Sequence, residues 1–468
     1  MLSQWNFDNS YLELPKIFFS KTKPNQFSNL ELILKNHKLI DKLSLDKTEF
    51  DKFIVTSIAD HKKDFYSQAY AGHQFGHFTI LGDGRATLLG EHINRENKRF
   101  DIQLKGSGKT PYSRNGDGKG TLKSMLREYI VSEAMHNLNI KTTRSLAVLK
   151  TGEKIIRNGF EEGGILVRVA KSHIRVGTFQ LAALSEESGN IEALVNYSIK
   201  RLHPEIYDHK DRYLEFYKTI VENQINLIIE WQRVGFIHGV MNTDNMALSG
   251  ETIDYGPCAF LDEYNPKKVF SSIDQNGRYA FNNQPKIALW NLARFAETIL
   301  HLIDKDQSLA IKKIEDVLKS FEKKYHERWL EMMKNKLQIN NHSENDEKLI
   351  TELLDLMHVF KLDFTNTFIE IDNDQISKYD FMKNWISKLE DRKKINKKFD
   401  KIKYKYNPRI IPRNHLVEKV LNESENGNYS LLIKFIENLN DPYSNDIFSD
   451  FQRGPTEDEK VHQTFCGT

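Results

Sequence analysis

His238-Gly239-Val240-Met241-Asn242-Thr243-Asp244-Asn245, followed by Asp254-Tyr255-Gly256, is the part of the chain from which the rest can be read. His238 and Asn245 have the spacing of a loop that transfers phosphoryl groups from a nucleotide, His-x-Asp, four residues, then Asn. In such loops the Asp orients the acceptor hydroxyl, the Asn holds a metal ion, and a later Asp-x-Gly supplies the second metal ligand. Asp254 stands where that second ligand is expected, but the orienting Asp is replaced by Val240. Valine can take neither a proton nor a metal. Asp244 is the neighbouring carboxylate able to act as base instead; the plainer reading is a turn-forming Asp beside a metal site. Asn245 and Asp254 offer few ligands, all oxygen, which suits Mg²⁺ or Mn²⁺ completed by phosphate oxygens and water.

A loop of this type implies partners upstream. Phe100 to Lys105 alternates with period two and predicts a strand ending in Lys105. Leu122, Met125, Leu126, Tyr129, Ile130 and Ala134 recur at helical spacing after Thr121, and Glu128 lies on that helix. A strand Lys paired with a helix Glu grips nucleotide phosphate in kinases. Leu81-Gly82-Asp83-Gly84-Arg85 and Asn115-Gly116-Asp117-Gly118-Lys119-Gly120 are two Gly-rich turns where backbone can approach phosphate. Either alone also fits an ordinary turn. Arg168 falls inside a predicted strand, 164–169, with Arg175 seven residues on. A buried Arg needs a partner, and phosphate or a structural carboxylate would serve. Gly106-Ser107-Gly108-Lys109-Thr110 resembles the end of a P-loop, but the required first Gly is Gln103, so a P-loop ATPase is excluded. His73 and His77 stand four apart among glycines with no third ligand evident, and read as core or loop histidines.

The 468 residues are 39% hydrophobic, with 67 basic and 65 acidic side chains and a formal charge of +2. That balance gives no reason to expect nucleic acid as a partner. Two cysteines exclude a disulfide framework. No apolar run of membrane length occurs, and the first residues lack both a signal-peptide and a transit-peptide pattern, so a cytoplasmic protein is expected. The class expected is α+β, a protein-kinase-like two-lobed fold with a strand-rich N-lobe, a helical C-lobe and terminal extensions. The expected divisions are an N-terminal extension over 1–65, a kinase-like core over 66–305 and a helical C-terminal region with tail over 306–468. Amphipathic helices are expected over 211–234 and 285–303, and a long charged one over 307–338.

Taken with Tyr70–Gly76, Gln103–Gly108, Tyr112-Ser113-Arg114, Asn407-Pro408-Arg409 and Phe465-Cys466-Gly467-Thr468, these motifs resemble the selenoprotein O (SelO/YdiU) family of pseudokinases, across nearly the whole chain. The resemblance implies protein adenylyltransferase activity. ATP (or UTP, where manganese is available) would bind flipped relative to a kinase, and AMP (or UMP) would pass to Ser, Thr or Tyr hydroxyls of target proteins. It implies Lys105, Arg168 and Arg175 on the distal phosphates. Gly82, Gly84, Arg85, Asp117 and Gly118 would also lie at the nucleotide. Glu128 would orient Lys105, Asn245 and Asp254 would hold the metal, and Asp244 would be the base. It also suggests Cys258 and Cys466 as a redox pair that gates activity. Two alternatives stay open: an atypical kinase, against which Val240 argues, and a silent ATP-binding scaffold, against which the retained set argues.

Overall fold

The computed structural model describes residues 4–59, 65–157, 159–185, 187, 189–394 and 406–464. The fold is α+β, with the strands concentrated in the first part of the chain and helices after it. The strands are β1 (Phe19–Thr22), β2 (Glu31–Lys35), β3 (Phe65–Gln74), β4 (His77–Gly82), β5 (Ala86–Ile93), β6 (Arg99–Lys105), β7 (Gly120–Thr121), β8 (Arg144–Ile156), β9 (Phe160–Ala170), β10 (Phe236–Ile237) and β11 (Ala259–Phe260). The helices are α1 (His37–Lys42), α2 (Phe50–Ala59), α3 (Leu122–Asn137), α4 (Val176–Ala182), α5 (Gly189–Leu202), α6 (Arg212–Val234), α7 (Gln284–Ile303), α8 (Gln307–Lys336), α9 (Asp346–Val359), α10 (Phe364–Asp372), α11 (Lys383–Lys394), α12 (Asn414–Glu425) and α13 (Ser430–Leu439).

The large sheet has the order β1-β3-β5-β6-β9-β8-β2, with β4 on β3 and β7 on β9, and its pairings are antiparallel. Residues before β3 therefore supply two of its strands. The period-two pattern of β6 sends Phe100, Ile102 and Leu104 into a core with α1, α2 and Ile165, Val167 and Val169 of β9. Asp101, Gln103 and Lys105 take the opposite face. The β6–β9 register sets Gln103 across from Arg168, so two polar side chains of adjacent strands share that face.

The helix after the second Gly-rich turn starts where the sequence suggests. The Thr121 hydroxyl accepts from the Ser124 N–H at 3.0 Å, capping α3. One side of α3 packs on β8 and β9 through Leu122, Met125, Leu126 and Ile130. The same cluster takes in Val417 and Leu421 of α12 and Phe435 of α13. The expected helices at 211–234, 285–303 and 307–338 are α6, α7 and α8, with a larger apolar core among them that includes Phe216, Tyr217 and Phe295. No helix among the described residues is long and apolar enough to cross a membrane.

Candidate active site

A short ribbon delivers the loop read first in the sequence. Phe236 and Ile237 of β10 pair with Ala259 and Phe260 of β11, and residues 238–257 run between them. His238 is buried, and its Nε2 lies 2.8 Å from the Ile253 carbonyl while its Nδ1 accepts from the Val240 N–H at 3.4 Å. Burial lowers its pKa, only partly opposed by the Ile253 carbonyl. A neutral imidazole thus ties the first half of the loop to the residue before Asp254.

The other half of the site comes from the sheet. One cavity of about 490 Å³ is lined by Gly82, Gly84 and Arg85, by Asp117 and Gly118, and by Lys105, Arg168, Arg175, Asp244, Asn245 and Asp254. Every nucleotide, metal and base residue named from the sequence faces it. Glu128 stands just behind, with one carboxylate oxygen 2.6 Å from Lys105 Nζ and the other 3.3 Å from Arg168 Nη1.

Three cations converge on Asp254: Lys105 at 2.9 Å, Arg168 at 2.6 Å and Arg175 at 2.8 Å. Burial alone would raise the Asp254 carboxyl, but Lys105, Arg168 and Arg175 outweigh it and hold it well below the usual carboxylate range. Its backbone sits in the left-handed region, φ 63°. Arg168 also donates through Nε to Gln103 Oε1 at 3.0 Å, which is the cross-strand pair set by the β6–β9 register. Of the two partners foreseen for this buried Arg, phosphate or a structural carboxylate, the structure shows the carboxylates, Glu128 and Asp254. The Arg175 guanidinium lies 4.5 Å from the Tyr70 ring centroid and 3.5 Å from Asp83.

Asp244 has a different environment. Its side chain is buried, and burial raises its pKa to about 6, a rise that Arg175 opposes. Oδ2 accepts from the Gln74 amide at 3.3 Å, while Oδ1 is buried without a hydrogen-bond partner. An ionisable oxygen held free in a cavity is what a general base requires. Two carboxylates in one cavity are thus driven apart, Asp254 ionised at neutral pH and Asp244 raised to about 6. Gly72 makes the fit possible: a Cβ there would lie 2.5 Å from Asp244 Oδ1. The strand and loop are clamped by a ring of bonds. The His73 N–H donates to the Thr243 hydroxyl at 2.7 Å, that hydroxyl donates to Gln180 at 2.6 Å, and Gln180 Nε2 lies 2.8 Å from His73 Nδ1. His73 and His77 sit on β3 and β4 rather than on a helix.

The donor set suits a hard divalent cation. Asn245 spends its amide N–H on the Val240 carbonyl at 2.9 Å, leaving its oxygen for a metal, and Asp254 offers an ionised carboxylate in the same cavity.

At the rim, the Gly-rich turn 115–120 interlocks with the 106–110 segment. The Gly108 N–H donates to the Gly118 carbonyl at 3.1 Å, and a Cβ at Gly118 (φ 69°) would fall 2.0 Å from the Gly108 carbonyl oxygen. Asp117 is tied to Arg157 at 2.8 Å, a contact that lowers its pKa. Tyr70, Gln74, Asp83, Gln103, Arg157 and Gln180 are site residues that the sequence reading did not single out. Tyr70, Gln74, Asp83 and Gln103 lie within motifs already quoted, and their polar character near glycine or lysine was the available signal.

Cys258 is buried beside the loop. The Thr464 hydroxyl donates to the Pro257 carbonyl at 2.7 Å, so the tail reaches the residue before Cys258. Cys466 lies outside the described residues.

Comparison with known proteins identifies the family. The family described as protein adenylyltransferase SelO matches residues 1–442. A protein nucleotidyltransferase YdiU of Pelagibacter ubique (strain HTCC1062) is 48% identical, covering 99% of both chains. Its counterpart in Clostridium perfringens (strain 13 / Type A) is 46% identical over 99% of this chain and 98% of that one. That of Brevibacillus brevis is 48% identical over the same shares.

Proposed function

The chain belongs to the SelO family of protein adenylyltransferases, and from that premise we propose how its own residues carry out the transfer. It is a protein nucleotidyltransferase, acting on a nucleotide and a protein substrate. We take ATP as the donor, with UTP as the alternative, and a Ser, Thr or Tyr hydroxyl as the acceptor. The observation that carries the reading is the convergence of Lys105, Arg168 and Arg175 in the cavity that also holds Asp244.

On this reading the two lobes of a kinase-like core, 66–305, meet at the cavity, with 1–65 and 306–468 built around it. Lys105, Arg168 and Arg175 hold the β- and γ-phosphates, so that the α-phosphorus faces Asp244. The acceptor oxygen bonds to the α-phosphorus as the bond to the β-bridging oxygen breaks. Asp244 receives the hydroxyl proton, and the three cations stabilise the departing pyrophosphate. Glu128 keeps Lys105 and Arg168 oriented while the phosphates are bound. Asn245 and Asp254 would hold Mg²⁺ or Mn²⁺, which supplies charge neutralisation on the phosphate oxygens. The set needs positioning and charge more than covalent help, as phosphoryl chemistry in general does. A cytoplasmic setting is consistent with the chain's composition.

Cys258 and Cys466 complete the proposal as a redox pair, favoured by the anchoring of Thr464 beside Cys258. Thiol labelling that finds both cysteines reactive after mild oxidation would refute it. The transferase reading is tested by intact mass of the protein after incubation with ATP, divalent metal and reductant, beside Asp254→Ala. Gain of one AMP in the wild type alone supports it; gain of one phosphate refutes it.

A further inference from the structure

A second cavity, of about 550 Å³, shares Phe75 and Ile273 with the first. His77, Asp274, Arg278 and Lys286 also line it. Its charges do not balance. Asp274 is committed to local backbone, accepting from the Arg278 and Tyr279 N–H groups at 2.8 Å each. Arg278 stacks on Trp290, 4.8 Å from the ring centroid, and its buried Nε lacks a hydrogen-bond partner. Lys286 stands exposed in the first turn of α7, where a helix dipole disfavours a cation. Among the described residues, no carboxylate lies within ion-pair distance of Arg278 or Lys286. Beside them Ile273 is 67% exposed. A site with two cations that no carboxylate of the described residues pairs, against the single carboxylate of Asp274 and next to an open apolar side chain, is complementary to an acidic chain carrying an apolar residue.

The cavity is also continuous with the reaction centre. The Phe75 N–H donates to Asn242 at 3.2 Å and to the Tyr279 hydroxyl at 3.1 Å, and the adjacent Gln74 is the residue bonded to Asp244. A polypeptide lying in the second cavity therefore has a short path to the base.

We propose that this cavity is the docking groove for the acceptor protein, taking an extended acidic segment that adjoins the modified hydroxyl residue. Acceptor carboxylates pair with Arg278 and Lys286, and an apolar acceptor side chain covers Ile273 and Phe75. The proposal rests on the adenylyl-transfer reading above and adds to it the class of acceptor.

The test uses full-length protein, α-labelled ATP, and two random copolymers, Glu–Tyr and Lys–Tyr. The wild type is expected to label Glu–Tyr with a kcat/KM about tenfold above that for Lys–Tyr. Lys286→Glu and Arg278→Gln should each raise KM for Glu–Tyr severalfold, leaving kcat and ATP affinity unchanged. Lys286 is a surface position, so its variant reports even if Arg278→Gln fails to fold. Equal labelling of both copolymers, or an unchanged KM in Lys286→Glu, overturns the proposal. Self-labelling with neither copolymer labelled overturns the proposal alone. No α-label on the protein or either copolymer removes the transferase reading and the groove with it.

Discussion

Arg175 Nη1 lies 2.8 Å from the Asp254 carboxylate and, with the same nitrogen, donates to the Asp244 backbone carbonyl at 2.9 Å. One guanidinium thus fixes the distance between the proposed metal ligand and the proposed base. It is buried, and it comes from the segment just before α4, outside the loop itself. Removing it should loosen both carboxylates at once. Arg175→Ala is expected to lower kcat/KM for AMP transfer about a hundredfold or more. Arg175→Lys should recover little, because an ammonium cannot serve two acceptors and an aromatic face in one plane. Steady-state kinetics with α-labelled ATP measure both.

Asp244 sets the acid side of the pH profile. A base acts when deprotonated, so kcat/KM should rise with pH and level off above about 6. Asp244→Asn should abolish that limb along with the activity. The same burial has a stability consequence. The folded pKa is raised above the unfolded value of about 3.9, so the ionised form is the disfavoured one in the folded state. The penalty is absent below about pH 4 and complete above the folded value. Asp244→Asn should therefore stabilise the protein at pH 8 by up to about 3 kcal/mol and change little at pH 4. Urea unfolding at the two pH values checks the sign.

Asp254 behaves in the opposite sense. Its folded pKa is depressed, so its contribution is present above the unfolded value and is lost as pH falls through the folded one. Asp254→Asn leaves Lys105, Arg168 and Arg175 crowded without their shared anion. The nucleotide-free protein should lose about 3–5 kcal/mol. Millimolar pyrophosphate should restore part of the lost melting temperature by binding the same cations. Thermal melts with and without pyrophosphate report it, and equal loss in both would contradict the placement of the distal phosphates.

Gly72 tests whether Asp244 must sit where it does. A methyl group there would overlap the carboxylate. Gly72→Ala is expected to lower AMP transfer at least as much as it lowers the stability of the fold, with ATP affinity near wild type. Calorimetry of ATP binding beside transfer kinetics separates the two.

Much of this site was legible in the residues because its parts stand in local patterns. Alternation placed Lys105 at a strand end, the Thr121 cap and helical spacing placed Glu128, and the His238–Asn245 and Asp254–Gly256 spacings marked the loop. What was not legible is set by pairing at long range. Only the β6–β9 register brings Gln103 across from Arg168, and only the return of β3 under the loop brings Gln74 and Gly72 to Asp244. The strands β3, β5, β6 and β8 are all buried over much of their length. β6 still alternates because Asp101, Gln103 and Lys105 take its site-facing positions, whereas runs such as Leu88-Leu89 in β5 and Ala147-Val148-Leu149 in β8 put apolar residues on both faces and erase the alternation. The poised state of Asp244 likewise depends on burial, which no spacing reveals.

The central claim is that the α-phosphorus, and not the γ, faces Asp244. The direct measurement is a pair of reactions with ATP labelled at the α or the γ position, run on the protein itself and on an acceptor. The account predicts α-label on protein, no γ-label, and neither in Asp254→Ala. Transfer of the γ-label would show that the nucleotide lies the other way round and would contradict it.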